Sequence, residues 1–489
     1  MTNLLCYLER SAGRFPDKTA FADENESLTF SQLLEMGRSI GAAIAGRVQD
    51  THRPVAVLTT HSARDIAAFI GVLYAGCFYI PLDGSAPREY TENRLKTIAP
   101  AMIIKAKSLA DLPQETPDFD RLQAVRCKVL PTDPAYAIFT SGSTGAPKAA
   151  LISHGSVANL AEWFYETFGF SERTVFAAQA PLFFDASVKE VYSTLRNGCT
   201  TYFLSKKLFI SPLKVLRRVE EVGANVLPWA AAAVKLIANS GVFDQYVPEG
   251  IEDVIFGGEN MPAKALNTWI KAMPEARFTN VYGPSETTVD CAYYTVNRDL
   301  PDGVSVPIGF PTRGAELLLL DENGKPVGEG EPGEIYVRGA GVGLGYYGDP
   351  ARTSEAFVQN PTKSEYRDVV YRTGDIAKRN EYGELVFLAR ADDQVKHMGS
   401  RIELGEVESA AAGVAGVDLV CCSYDKEKSK IVMFYEGDAS EQDILISLNV
   451  RLPRYMCPNV VIKVGKMPAT PNGKVDRKRV RDVYYDSKL

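Results

Sequence analysis

The sequence predicts an α/β fold. It should comprise a large N-terminal part of layered α/β subdomains with a small antiparallel β subdomain, followed by a small, mobile α+β C-terminal domain. Three observations predict it. Apolar runs of strand length alternate with amphipathic stretches through most of the chain up to Arg390. From Gly324 the sequence becomes dense in glycine, with short alternating strands. A second change of character falls at Ala389-Arg390-Ala391-Asp392-Asp393.

Taken in order, the strand-like runs include Arg53–Thr59, Ala101–Lys105, Thr174–Ala178, Thr200–Leu204, Asn225–Pro228 and Asp253–Phe256. Helical patterns such as Ser62–Tyr74 and Pro212–Val222 lie between them. Continuous Val/Ile/Leu strands separated by helices indicate a parallel sheet covered on both faces. The stretch after Gly324 reads as antiparallel strands joined by turns. Beyond it, Gly405–Ala412 and Ser440–Val450 read as helices, and Val417–Ser423 and Lys430–Glu436 as strands. A domain boundary is expected at Asp392, giving domains 1–391 and 392–489.

Composition removes several classes of function. The 489 residues are 45% hydrophobic and 24% charged, the profile of a globular protein. Lys plus Arg is 54 against 61 for Asp plus Glu, a net charge of −7. No basic excess marks a nucleic-acid surface. The longest charge-free run, Ile66–Leu82, contains Gly71, Gly76 and Pro81 and is shorter than the ~20 residues of a membrane span, so it reads as core. The N-terminal MTNLLCYLER meets charge too soon for a secretory segment. Eight cysteines form no CxxC pair and four histidines no HExxH, so the thiols read as free, in a reducing cytoplasm.

Four motifs carry chemistry. Thr140-Ser141-Gly142-Ser143-Thr144-Gly145-Ala146-Pro147-Lys148 follows an apolar strand. Its backbone N–H groups, hydroxyls and lysine suit polyphosphate oxygens, although the Walker spacing is absent. Asn280-Val281-Tyr282-Gly283-Pro284-Ser285-Glu286 offers an aromatic, a turn and a carboxylate, which suit a nucleotide base and its Mg²⁺. Tyr371-Arg372-Thr373-Gly374-Asp375 supplies a carboxylate able to accept ribose hydroxyls, or a turn aspartate in a salt bridge. Pro471-Asn472-Gly473-Lys474 sets a lysine on a tight turn.

In this order the pieces resemble the adenylate-forming superfamily, and within it the adenylation domains of nonribosomal peptide synthetases in a stand-alone form. The resemblance runs from Leu28-Thr29-Phe30 to Asn472-Gly473-Lys474-Val475-Asp476-Arg477, and includes Phe184-Asp185-Ala186-Ser187, Gly333–Tyr347 and Arg390–Glu408. Ala149 and Ala389 replace the usual glycines, Leu344 the usual arginine and Ser285 the usual threonine.

The resemblance implies a ligase using ATP and Mg²⁺. A carboxylate attacks the α-phosphorus of ATP, pyrophosphate leaves, and a thiol then attacks the acyl-adenylate. By position, Thr140, Ser141, Gly142, Ser143, Thr144, Gly145 and Lys148 hold phosphates. Glu286 binds Mg²⁺, and Tyr282 packs on adenine near Gly258, Asn280, Gly283 and Ser285. Asp375 takes the ribose hydroxyls, Arg390 supports ribose and phosphate, and Lys474 bridges the reacting groups. Asp392 sits at the family's hinge, about which the C-terminal domain alternates between half-reactions.

Asp185 matches the aspartate that anchors an α-ammonium, which favours an amino acid. The side-chain pocket is matched to Ala186, Lys189, Val226, Ile255, Gly257, Val281, Val289 and Asp290. A buried Lys189 ammonium needs a counter-charge. Either the substrate supplies a carboxylate or Asp290 pairs with Lys189 internally, around a small aliphatic substrate. The combination resembles glutamate-selecting pockets, so L-glutamate or a related acidic or amide amino acid is expected. The expected partner is a separate phosphopantetheinylated carrier protein, with the enzyme monomeric and cytoplasmic and with no nucleic-acid or membrane partner. The terminal Ser487-Lys488-Leu489 leaves a peroxisomal address as the minor alternative. An acyl-CoA or aryl-acid CoA ligase and a non-catalytic adenylate-binding sensor are the alternative functions.

Overall fold

The computed structural model describes residues 3–105, 118–140, 147–391, 394–397, 400–425, 428–468, 475, 477–480 and 482. The chain divides into two compact units. The first comprises Met1–Gly84, Ile98–Ile138 and Ala149–Ala391, and the second Ser85–Thr97, Phe139–Lys148 and Asp392–Leu489. Two stretches that precede Asp392 in sequence therefore group with the C-terminal segment.

A nine-stranded sheet dominates the first unit, in the order Phe310–Pro311, Ala292–Thr295, Arg277–Tyr282, Asp253–Gly257, Val226–Ala230, Val175–Ala178, Thr200–Phe203, Thr19–Ala22 and Ser27–Thr29. Its middle strands are parallel and its ends antiparallel. Neighbouring residues of these strands serve different cores. Val226, Ile255 and Val281 join one apolar cluster, while Leu227, Val254 and Phe256 join another. Period-two alternation thus buries both faces, which is why these strands read as continuous apolar runs.

The first cluster also takes Val55, Val57, Tyr79, Tyr136 and Ile152 from a six-stranded sheet, together with helices Phe30–Arg47, Ala63–Tyr74, His154–Phe168 and Val188–Asn197. Helices Pro212–Glu221, Ala231–Asn239 and Ala263–Ala272 cover the other face of the larger sheet. Helix Phe30–Arg47 starts on a reciprocal cap: Gln32 N–H donates to Thr29 Oγ1 at 3.2 Å, and Thr29 N–H to Gln32 Oε1 at 2.9 Å. Helix Val188–Asn197 stops at Gly198, whose φ is +73°, and a Cβ there would lie 2.5 Å from the Phe15 ring.

The glycine-dense region forms the expected antiparallel sheet of Ala315–Leu320, Gly333–Gly339, Phe357–Gln359, Val369–Arg379 and Leu385–Arg390. In the second unit, strands Val417–Asp425, Lys430–Gly437 and Val460–Lys463 pack on helices Leu404–Ala412 and Glu441–Arg451 around Ile402, Val407, Met433, Ile444 and Leu448. No helix among the described residues is long and apolar enough to cross a membrane. Among the described residues the cysteines form no disulfide.

Candidate active site

The C-terminal ends of the parallel strands deliver Gly257, Val281 and the loop that carries Glu286, the usual place for ligands on an open α/β sheet. Strands Asp253–Gly257 and Arg277–Tyr282 run in register, with Gly257 opposite Val281. A Cβ on Gly257 would stand 2.3 Å from the Val281 carbonyl oxygen, so this edge accepts only glycine. Gly258 follows with φ +87°. Asn280 is buried, and its side-chain amide donates to the Pro307 carbonyl at 2.8 Å.

Past Tyr282 the chain turns sharply. A Cβ on Gly283 would lie 2.3 Å from the Val289 carbonyl oxygen. Thr288 and Val289 then adopt left-handed backbone, φ +58° and +71°. For a β-branched valine this conformation is strained and persists only where its surroundings over-determine it. The Thr288 hydroxyl donates to the Gly341 carbonyl at 2.6 Å, and the Gly343 N–H to the Glu286 carbonyl at 2.8 Å. The glycine-rich Gly339–Gly345 stretch thereby braces the loop that carries Ser285, Glu286 and Asp290.

Two carboxylate centres result. Asp185 opens a single 3₁₀ turn, Asp185–Ser187, and accepts a hydrogen bond from the Ser285 hydroxyl at 2.5 Å. Burial raises the Asp185 carboxyl above its ordinary value, while Ser285 and Lys189 pull it back down. Glu286 is fully buried and accepts from the Tyr346 hydroxyl at 2.8 Å. Among the described residues no three His, Cys, Asp or Glu side chains gather to hold a metal by themselves. A Mg²⁺ ion is ordinarily bound through one or two carboxylates plus substrate phosphates. A single buried Glu286 fits that donor set.

Asp375 and Arg390 face each other across antiparallel strands. Arg390 Nη1 donates to Asp375 Oδ1 at 2.6 Å, and its Nη2 to the Thr373 carbonyl at 3.1 Å. The Tyr282 hydroxyl donates to Asp375 Oδ2 at 2.5 Å. Tyr282, expected to pack on a base, is therefore tied through its phenol to the expected ribose carboxylate.

In the side-chain pocket, Lys189 Nζ lies 3.7 Å from Asp290 Oδ2, with both side chains under one-tenth exposed. Ala186, in the same turn as Asp185, is half-buried, and Val281 and Val289 are buried. Val226 and Ile255 lie deeper along their strands than this edge, in the same apolar cluster as Val281 and Val289. The strand register pairs Val226 with Asp253 and Ala230 with Gly257, which puts Val226 four residues, ~13 Å, down its strand. Ile255 lies two residues back from Gly257, facing the same core.

Of the phosphate loop, Thr140 and Lys148 are described, on adjacent strands Pro134–Thr140 and Lys148–Ser153. Thr140 is buried, and its hydroxyl has no hydrogen-bond partner among the described residues. Ser141, Gly142, Ser143, Thr144, Gly145, Asp392 and Lys474 lie outside the described residues.

Sequence reading missed three groups. Tyr346 holds Glu286. Tyr136 is wholly buried with a hydroxyl that lacks a partner among the described residues. Glu190, 1% exposed, has neither carboxyl oxygen hydrogen-bonded among them, and burial raises its carboxyl to about 8. Only the Glu190 position carried a signal, a carboxylate directly after Lys189.

Comparisons with known proteins agree with this geometry. The chain is 30% identical to tyrocidine synthase 1 of Brevibacillus parabrevis, over 96% of this chain and 44% of that protein. It therefore spans less than half the length of that relative. It is 29% identical to the zwittermicin A synthase ZmaJ of Bacillus cereus, over 96% of this chain and 93% of that one. Among solved structures, PA1221, described as a nonribosomal peptide synthetase protein containing adenylation and PCP domains, superposes with a TM-score of 0.82 at 25% identity. That match covers 98% of this chain and 84% of PA1221. The family model for AMP-binding enzymes matches residues 8–347, the span that holds Asp185, the glycine edge and the Glu286 loop, so this chain belongs to the AMP-binding enzyme family.

Proposed function

We propose that the chain is an AMP-forming ligase that activates an amino acid with ATP and passes it to a phosphopantetheine thiol on a separate carrier protein. One observation carries the choice of an amino acid. Asp185, held by the Ser285 hydroxyl at 2.5 Å, is a carboxylate positioned to receive an α-ammonium. A substrate without that ammonium would leave the carboxylate to rely on Ser285 and Lys189.

In the reaction, a substrate carboxylate oxygen forms a bond to the α-phosphorus of ATP while the bond to pyrophosphate breaks. The reactants are anions, so position and charge compensation dominate the barrier. Asp185 and Ser285 orient the amino acid. Asp375, braced by Tyr282 and Arg390, receives the ribose hydroxyls. Thr140 and Lys148, at the two ends of the phosphate loop, hold the polyphosphate. Mg²⁺, when bound at Glu286, would neutralise phosphate charge. Lys474 then offsets the charge on the attacking carboxylate, and the segment carrying it turns about Asp392 before thiol transfer. The enzyme acts as a monomer in the cytoplasm.

The Lys189–Asp290 pair supports an amide-bearing side chain, glutamine first, within the acidic and amide class expected from the sequence. An amide offers its carbonyl to Lys189 and its N–H₂ to Asp290 at once. Glutamate would bring a second anion beside Asp290, and a small aliphatic substrate would leave the pair to itself.

Amino-acid-dependent pyrophosphate exchange tests both levels. Glutamine should give the highest kcat/KM, and Lys189→Ala should lower it about tenfold or more (~1.4 kcal/mol). Asp290→Asn separates the readings, lowering exchange with glutamine and raising it with glutamate. Exchange that favours alanine would refute the amide reading. Exchange driven only by fatty or aryl acids would establish the CoA-ligase alternative, and none with any acid the sensor alternative.

A further inference from the structure

One buried polar group beside the amino-acid pocket has no part in the chemistry above. Tyr136 sits on strand Pro134–Thr140 of the six-stranded sheet, four residues before Thr140. Its side chain is wholly buried, and its hydroxyl meets no hydrogen-bond partner among the described residues. The ring is firmly placed. Tyr136 is the register partner of Tyr79 on the parallel strand Phe78–Asp83, and the two ring centroids lie 5.7 Å apart. Tyr79 in turn stacks on Phe69 at 4.2 Å. The hydroxyls of Tyr79 and Tyr192 bond to each other at 3.0 Å, which leaves Tyr136 as the unmatched phenol of the three.

This aromatic group adjoins the pocket, and all of it belongs to the first unit. Tyr192 lies one turn along helix Val188–Asn197 from Lys189, on the same side of that helix. Tyr136 shares an apolar cluster with Val226, Ile255, Val281 and Val289. Burial first, and then the Asp185 charge, Tyr192 and the Asp290 charge, hold its phenol well above the usual value, so it stays a donor. Tyr136 therefore stands within the field of both carboxylates, the one proposed for the α-ammonium and the one paired with Lys189. It comes from a different sheet than Val226, Ile255, Gly257 and Val281. A hydroxyl left buried and unpaired is costly, so an orphaned one beside a binding pocket calls for a partner that binds.

We propose that Tyr136 is a further specificity-determining residue of the amino-acid pocket, its hydroxyl donating to the side-chain oxygen of the bound substrate beside Lys189. The inference rests on the amino-acid activation proposed above and deepens it. An amide oxygen has two lone pairs, and its nitrogen carries two N–H groups. Lys189 and Tyr136 would occupy the two lone pairs while Asp290 accepts from the nitrogen. An apolar side chain of similar length, such as that of methionine, leaves the Tyr136 hydroxyl as orphaned as before. A site built to hydrogen-bond its substrate discriminates strongly against an analogue that cannot reciprocate.

Tyr136→Phe deletes the hydroxyl and keeps the ring. In pyrophosphate exchange, the ratio of kcat/KM for glutamine to that for methionine should fall about fivefold or more, with the KM for ATP moving less than about twofold. At equal concentration, glutamine should raise the thermal midpoint of the wild type more than that of the variant. Without substrate, the urea midpoint of the variant should match or exceed that of the wild type, because the deleted hydroxyl has no partner in the free enzyme. A lower midpoint, or a variant that does not fold, overturns the proposal, since the hydroxyl would then serve the fold. Equal losses for glutamine and methionine also overturn it and leave amino-acid activation standing. A wild type that prefers alanine to glutamine overturns the contact together with the amide reading. Stabilisation by glutamine that is lost in the variant, in a protein that exchanges with no acid, refutes the proposed activation and supports the contact.

Discussion

The Tyr282 hydroxyl donates to Asp375 at 2.5 Å, tying the end of a strand in the nine-stranded sheet to a strand of the antiparallel sheet 93 positions later. The opposite oxygen of the same carboxylate is held by Arg390 at 2.6 Å. Asp375 is thus clamped from both sides before any ribose arrives. Burial and the adjacent carboxylate hold the Tyr282 phenol well above its usual value, so it stays a donor.

Removing the phenol tests the clamp. Tyr282→Phe leaves the ring in place and deletes one hydrogen bond to a charged acceptor. The KM for ATP should rise about tenfold or more, corresponding to ~1.4 kcal/mol or above, with a smaller change in the KM for the amino acid. Equal changes in both would show that Tyr282 does not act through the nucleotide.

Arg390→Met should act on stability as well as activity. It strands the Asp375 carboxylate, whose side chain is 3% exposed, without its cation. Breaking one side of a buried pair costs about 3–5 kcal/mol. Guanidinium unfolding should report a loss of that order, and Arg390→Lys a smaller one. A midpoint equal to wild type would mean that water already solvates the pair.

Ser285→Ala removes the hydroxyl that Asp185 accepts. That hydrogen bond lowers the Asp185 carboxyl, so without it the charged form needed for an α-ammonium is disfavoured. The KM for the amino acid should increase about five- to tenfold and fall back as pH is raised. Ser285→Thr, which keeps the hydroxyl, should restore it.

Tyr346→Phe should weaken Mg²⁺ dependence without abolishing activity, because Glu286 keeps its carboxylate and loses one orienting donor. The Mg²⁺ concentration for half-maximal exchange should rise about tenfold. An unchanged Mg²⁺ titration would remove Glu286 from the metal.

Glu190 predicts a pH-dependent stability. Its carboxyl is raised to about 8 in the fold by burial, whereas an unfolded glutamate titrates near its ordinary ~4.3. Between those values the folded chain holds one more proton than the unfolded chain, so this group makes stability fall as pH rises to about 8. Glu190→Gln should match wild type near pH 4 and exceed it by a few kcal/mol at pH 8.5 in urea unfolding. Parallel curves would show that the carboxyl is solvated.

Much of this fold was legible because strands buried on both faces write themselves as unbroken apolar runs. Asp253–Gly257 contributes Val254 and Phe256 to one core and Ile255 to another, so every position is apolar except the ends. The antiparallel sheet announced itself through glycine spacing, and the residues proposed for the nucleotide and the ammonium through motif order. The height of Val226 relative to Gly257 was not legible, because periodicity identifies a strand's face but not its height, and register is a tertiary fact. Tyr346 and Tyr136 gave no signal, since a tyrosine in an apolar run looks the same whether its hydroxyl meets a carboxylate or nothing.

Local chemistry in the sequence determined the class of fold and the family, and it singled out Asp185, Glu286, Asp375 and Arg390 as candidates. Only the tertiary structure decided which groups meet: Ser285 with Asp185, Tyr282 with Asp375, Lys189 with Asp290, and Arg94 with Glu406. The physical reason is the same each time. A buried charge must be compensated within a few ångströms, and the partner that does so is brought by chain packing from positions up to 312 residues away.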